Sequence, residues 1–429
     1  VIFSSEKQEL RLKWMFESCK NGAWGSEPDG EADVICIRAA DFDGQSGRLN
    51  EGERTLRAID PAVFEKIALR PGDLVIEKSG GGEKQLVGRT VLFDDERPSV
   101  TSNFLARCRP AGGIDPAFLN YLMLAIYTGR GTYPHIKQST GIQNLDLGSY
   151  LDVRVSIPKL IDQQRIARFL DEKTARIDAL IEKKQALLER LAEKRQALIT
   201  RVVTKGLNPD VPMKPSDIEW IGNIPNHWGV KRLRFLARLI SGSTPTTSVS
   251  EYWGGEIPWI SPKDMKSDEI SDSEDHITDF AIQEYGVRTH KDPNALIVIR
   301  GMILARTIPV VVAKGLYSIN QDVKVIKSKG EVMPDYFQMY LRSVESFIFT
   351  LIAEAGHGTK ALRTELFLDV PVLLPPLSEQ FALTEAVKMA KVGLDSAMRS
   401  IEKSTKTLSE LRSALITTAV TGQLPELNG

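Results

Sequence analysis

A shift of 217 residues carries one part of this chain onto another. Leu151-Asp152-Val153 falls on Leu368-Asp369-Val370, Gln163 on Gln380, and Ala197-Leu198-Ile199-Thr200 on Ala414-Leu415-Ile416-Thr417. The match runs without a gap, so each copy is one continuous element. Between Pro158 and Pro209, and again between Pro376 and Pro425, there is no proline, and the residues are mostly Ala, Leu, Glu, Lys, Gln and Arg. These are strong helix formers, and roughly 40 of them make a rod of about 60 Å. A helix of that length needs a partner to cover its apolar stripe.

Steps of four and three define the stripe. In the first helix they select Ile166, Leu170, Ile177, Leu180, Leu187, Leu191 and Leu198; in the second, Leu383, Val387, Leu394, Ile401, Leu408, Leu411 and Leu415. Lys173, Lys184 and Lys194 interrupt the first stripe where the second has Ala390, Ile401 and Leu411. The two helices are therefore expected to pack on each other, with the lysine stems along apolar surface and their heads in water.

Ahead of each helix lie more than a hundred residues of short β-branched runs broken by Gly, Pro and Asp. Residues 257–260, 295–300, 308–312 and 322–326 read as strands and 334–349 as a helix; residues 34–37, 73–76 and 116–127 echo them in the first half. The expected fold is α+β: two globular domains of mixed α/β structure and two long helices. The division reads 1–157 and 226–374 for the domains, 158–206 and 375–422 for the helices, 207–225 for a Pro-rich connector, and 423–429 for a tail. Outside the helices the two halves differ almost completely, as expected of one fold serving two recognition tasks.

Composition narrows the function. The formal charge is -1, so contact with nucleic acid would need local basic surface. Cys19, Cys36 and Cys108 form no C-x-x-C pair, and His135, His227, His276, His290 and His357 have no companion at ligand spacing, which argues against a disulfide framework or a metal site. Gly80-Gly81-Gly82-Glu83-Lys84 lacks the spacing of a phosphate loop. Trp253 and Trp259 read as core. No apolar run is long enough to span a membrane, and a cytoplasmic protein is expected.

Several stretches together resemble the specificity subunit of type I restriction-modification systems. They are Pro375-Pro376-Leu377-Ser378-Glu379-Gln380, its degenerate copy Ile157-Pro158-Lys159-Leu160-Ile161-Asp162-Gln163-Gln164, the segment Glu219-Trp220-Ile221-Gly222-Asn223-Ile224-Pro225-Asn226-His227-Trp228, Gly242-Ser243-Thr244-Pro245, and Glu251-Tyr252-Trp253-Gly254-Gly255-Glu256-Ile257-Pro258-Trp259-Ile260. The resemblance covers essentially the whole chain. It implies a non-catalytic reader of double-stranded DNA, in which two target-recognition domains each read half of a bipartite sequence and the antiparallel helices set the gap. Two methyltransferase subunits holding S-adenosylmethionine, and motor-nuclease subunits, would be the partners; no cofactor or metal is implied on this chain. The recognition half of a fused restriction-methylation enzyme and a structural coiled-coil adaptor are the alternatives. The chain opens on Val1, and its first half lacks a counterpart of the Trp220 to Trp228 motif, so an incomplete first domain is a further expectation.

Base readout requires polar side chains on loops. Lys137, Gln138, Gln143 and Asn144 occupy the stretch just ahead of the first helix, and His357, Thr359 and Lys360 its shifted copy. Lys78, Ser79, Lys84, Arg300 and Arg306 are the remaining candidates, for base or phosphate contact.

Overall fold

The computed structural model describes residues 8–31, 33–43, 46–81, 85–139, 141–354, 358–424 and 427. The chain divides into two compact units, residues 1–186 with 401–429, and residues 187–400.

The first unit contains β1 (Gln8–Arg11), β2 (Phe16–Asn21), β3 (Leu74–Glu77), β4 (Thr90–Leu92) and β5 (Leu105–Pro110). Helix α1 (Pro116–Thr128) follows, with Pro at its first position and the Asp115 carboxylate accepting the Phe118 N–H. Next come β6 (Ile136–Ser139), β7 (Ile142–Leu145) and β8 (Arg154–Ile157), and then α2 (Leu160–Lys205) begins. The main sheet has the order β2-β5-β3-β4, all antiparallel, while β1 pairs with β8.

The second unit repeats this plan. It contains β9 (Gly229–Arg232), β10 (Ala237–Ser241), β11 (Asn294–Val298), β12 (Val310–Ala313) and β13 (Val323–Ser328). Helix α3 (Pro334–Ser343), hairpin strands β14 (Ile352–Glu354) and β15 (Lys360–Leu362), β16 (Pro371–Leu374) and α4 (Leu377–Val420) complete it. The sheet order β10-β13-β11-β12 matches the first unit, with Glu269–Ile270 added in parallel at the edge, and β9 pairs with β16 as β1 does with β8. The helix expected over 334–349 breaks after Ser343 and resumes at Glu345.

Each unit holds part of both long helices. In the first, Ile166 and Leu170 of α2 share a core with Ile416, Ala419 and Val420 of α4. There Arg165 donates to the Leu427 carbonyl at 2.6 Å and Arg412 to Asp178 at 2.8 Å, so the segments run antiparallel. In the second, Ile199 and Val203 share a core with Val387 and Leu383; Arg195 donates to Asp395 at 3.0 Å, and Gly206 lies beside Glu379. These segments are antiparallel as well.

The stripe is displaced from the one expected. Ile166, Leu170, Ile177, Leu383 and Val387 are buried, and Leu191, Leu198, Leu394, Ile401, Leu408 and Leu415 are half-buried, but Leu180 is 48% exposed, Leu187 45% and Leu411 53%. Burial passes instead through Thr174, Ile181, Leu188 and Arg195 in α2, and through Arg412 in α4. Strict 3.5-residue stepping drifts by about 20° per heptad against a helix of 3.6 residues per turn, and one extra step of four restores the phase.

The motifs that carry the resemblance are largely clamps. Gln163 Oε1 accepts the Asp115 N–H while its Nε2 donates to the Pro158 carbonyl, both at 2.9 Å. Its repeat equivalent, Gln380, accepts from Met333 N and donates to the Pro375 and Glu331 carbonyls, all at 2.9 Å. Glu379 Oε2 accepts from Trp228 Nε1 at 3.0 Å and lies 2.8 Å from His227 Nε2, joining two of the motifs. Gly22 and Gly242 end equivalent strands, where a Cβ would stand 2.0 Å from the carbonyl oxygens of Thr101 and Ile319. No residue with a side chain fits there.

Candidate nucleic-acid interface

In the first unit, hairpin β6–β7 meets the end of β3. Leu145 N donates to the Lys78 carbonyl at 2.7 Å, Ser79 is opposite Asn144, and Asn144 is opposite Lys137. The fold thus brings together Lys78, Ser79, Lys137, Gln138, Gln143 and Asn144. Alternation along the strands then separates them. Ser79 Oγ donates to Asn144 Oδ1 at 2.7 Å on the accessible side, whereas Gln143 is buried and accepts the Val87 N–H at 3.1 Å. Gln143 therefore serves the fold, a correction to its choice as an exposed reader. Gln138 is exposed, as is Lys137, which is bonded to Asp146 at 2.7 Å. That lysine, and then the Ser149 N–H, hold the Asp146 carboxyl below the ordinary range.

Lys78 donates to Asn21 Oδ1 at 2.7 Å, and burial lowers the pKa of its ammonium group. The carbonyl of Phe104 accepts both the Lys78 and Ser79 N–H groups at 2.9 and 3.1 Å, while its ring is 51% exposed. The Phe104 backbone is thereby tied to the strand end that carries Ser79. Asn21 and Phe104 belong to this edge and carry no local signal for it, because they come from strand ends distant in sequence.

The second unit builds the same edge from different side chains. Leu362 N donates to the Ile299 carbonyl at 2.8 Å, Arg300 is opposite Ala361, and Gly301 N donates to the Lys360 carbonyl at 3.0 Å. Where the first unit has Ser79 with Asn144, the second has Arg300 with Ala361. Arg300 and Arg306 are exposed; Thr359 and Lys360 are half-buried, with Lys360 Nζ 3.6 Å from Glu354. Lys324, not anticipated from sequence, bonds Ser241 Oγ, and burial together with nearby Arg300 lowers its pKa. This edge is the more cationic of the two. Lys84 and His357 lie outside the described residues.

Among the described residues no group of three His, Cys, Asp or Glu could hold a metal ion, and no helix is long and apolar enough to cross a membrane. A cleft of about 660 Å³ in the second unit is lined by Lys266 and by four cations that already have partners: Arg195 with Asp395, Arg342 and Lys391 with Asp268, and Lys388 with Asp335.

Residues 65–190 and 225–388 match the family of the type I restriction modification DNA specificity domain. The chain belongs to that family. It is 31% identical over 163 residues to the type I restriction enzyme MjaIX specificity subunit of Methanocaldococcus jannaschii, a match covering 37% of each protein. It is 27% identical over 173 residues to the EcoR124I/EcoR124II specificity subunit of Escherichia coli, covering 40% of each. The chain thus spans under half the length of these first two relatives. A longer match, 23% identical over 366 residues, covers 84% of this chain and 80% of the putative MjaX specificity subunit of M. jannaschii.

Two solved structures share the fold of this specificity-domain family member. A chain from a study of assembly and conformational transition of the type I R-M system superposes with a TM-score of 0.73 at 16% identity, covering 99% of this chain and all of that one. The HsdS subunit from Thermoanaerobacter tengcongensis gives 0.51 at 15% identity, covering 97% of both.

Proposed function

We propose that this chain is the DNA-recognition subunit of a type I restriction-modification assembly. Its two domains each read one half of a bipartite duplex target, with the paired helices as spacer. The observation that carries this reading is the repeated edge: one backbone arrangement, with a strand end against a hairpin, presents Ser79 and Asn144 in one unit and Arg300, Thr359 and Lys360 in the other. Duplicated scaffolds with unlike side chains suit two unlike half-sites. Residues 1–157 and 226–374 are the recognition domains in this reading, and 158–206 and 375–422 the spacer.

Catalysis belongs to the partners. Two methyltransferase subunits carry S-adenosylmethionine, motor-nuclease subunits join for cleavage, and the assembly works in the cytoplasm. A net charge of -1 supports this division, since the partners then supply much of the phosphate binding. The isolated chain should bind DNA weakly.

Co-expression with the methyltransferase subunit of the same locus, followed by single-molecule sequencing of host DNA, tests the reading. A new bipartite motif containing modified adenine is expected. No modification from a purified, correctly assembled complex would overturn it.

A further inference from the structure

Two exposed aromatic rings occupy equivalent places in the two units. In Arg11-Leu12-Lys13-Trp14 and Arg232-Leu233-Arg234-Phe235 the leucine is fully buried, while Trp14 is 66% exposed and Phe235 60%. Each segment directly follows the outer strand, β1 or β9, and precedes the first strand of the main sheet. Each also holds two cations on one carboxylate. Arg11 and Lys13 lie 3.1 and 2.8 Å from Asp152; Arg232 and Arg234 lie 3.2 and 2.7 Å from Asp369. Asp152 and Asp369 are themselves related by the 217-residue shift.

We infer that Trp14 and Phe235 are equivalent protein-docking anchors, each taking one copy of the same partner, the methyltransferase subunit. The inference rests on the assembly proposed above and names the surface used. Large aromatic side chains are enriched at protein interfaces, and rings this exposed contribute little to the core beneath them. The halves diverge at their reading edges but keep this ring and its charge clamp, so what meets it is the same on both sides.

Two observations favour protein over DNA. The cations are drawn onto Asp152 and Asp369, which leaves one surplus positive charge in the first patch and, with Lys329 Nζ on the Arg234 carbonyl at 2.8 Å, two in the second, rather than a basic stripe. The patch also lies at the opposite end of β2 or β10 from Asn21 or Ser241, which adjoin the reading edge; the six and five residues of these strands span about 20 and about 17 Å. The partner surface that fits is an apolar pocket with a carboxylate at its rim.

The full chain, co-purified with the methyltransferase subunit, can be examined by native mass spectrometry. Two partner copies are expected for the wild type, one for Trp14→Ala, one for Phe235→Ala and none for the double variant, with affinity at each altered site at least tenfold weaker. Trp14→Phe should restore the second copy, and unchanged melting temperatures should verify folding. Two copies bound to the double variant at unchanged affinity would overturn the inference, as would loss at only one site or loss of DNA binding alone. A wild-type chain that captures no methyltransferase at all would instead bring down the assembly reading.

Discussion

Arg412, almost completely buried on α4, donates through Nε to Asp178 at 2.8 Å, and the same shift that maps the helices onto each other turns this pair into Arg195 and Asp395. The copies are unequal in environment. Arg412 also reaches the Ser46 carbonyl, whereas Arg195 and Asp395 are both about one-third exposed. Asp178→Ala, which leaves a buried guanidinium without its carboxylate, should lower unfolding free energy by about 3 kcal/mol. Asp395→Ala should cost under about 1 kcal/mol. Denaturant titration of the two variants compares them directly, and equal losses would contradict the asymmetry.

The glutamine clamps make a second prediction. Gln380 is fully buried and satisfies three backbone groups. Gln380→Leu keeps roughly the volume and leaves those groups unpaired, at about 1–3 kcal/mol for each one that remains buried. A drop in thermal midpoint well beyond that of an exposed substitution such as Gln138→Leu is expected.

Leucines of the long helices should separate by phase. Leu170→Ala removes fully buried methyl groups and should cost about 3 kcal/mol. Leu180→Ala and Leu187→Ala should cost under about 1 kcal/mol, because their side chains are nearly half exposed. Chemical denaturation distinguishes this order from the one that strict heptad stepping gives.

Acid should act on the second unit through Asp268. Burial alone would raise its carboxyl, but Lys391, Arg342 and Gln338 outweigh burial and hold it below the ordinary aspartate value of 3.8. A depressed pKa in the folded state stabilises above the unfolded value and ceases to do so as pH falls through the folded value. Stability should therefore decline below about pH 4. Lys391→Met removes the largest of the opposing interactions, so the stability difference between pH 7 and pH 3 should shrink; an unchanged difference would exclude Asp268 as the group responsible.

At the proposed reading edges, Asn144→Ala and Phe104→Ala should relax base preference in one half-site, and Arg300→Ala or Lys360→Ala in the other. Methylation motifs mapped for each variant give the answer. Relaxation of both halves by a single substitution would separate these residues from direct readout.

The helices were legible because composition, missing prolines and an ungapped repeat agree over more than 40 residues. Their buried line was less so, since the sequence alone does not reveal where a helix adds its extra step of four; Leu180, Leu187 and Leu411 were misassigned for that reason. The hairpin of the proposed edge lies where the repeat persists just ahead of each helix. Gln143 looked as available as Asn144 until the pleat turned one inward and the other outward. Asn21, Phe104 and Lys324 come from strands whose neighbours are set only by the sheet order.

The first unit draws on residues 1–186 and 401–429, and the second on the unbroken stretch between them. During synthesis, residues 187–400 can leave the ribosome complete while the core around Ile166 and Leu170 still lacks Ile416, Ala419 and Val420. The portion translated first is therefore the last to close, and a premature stop codon near position 400 would damage the amino-terminal half of the protein rather than the part adjoining the break.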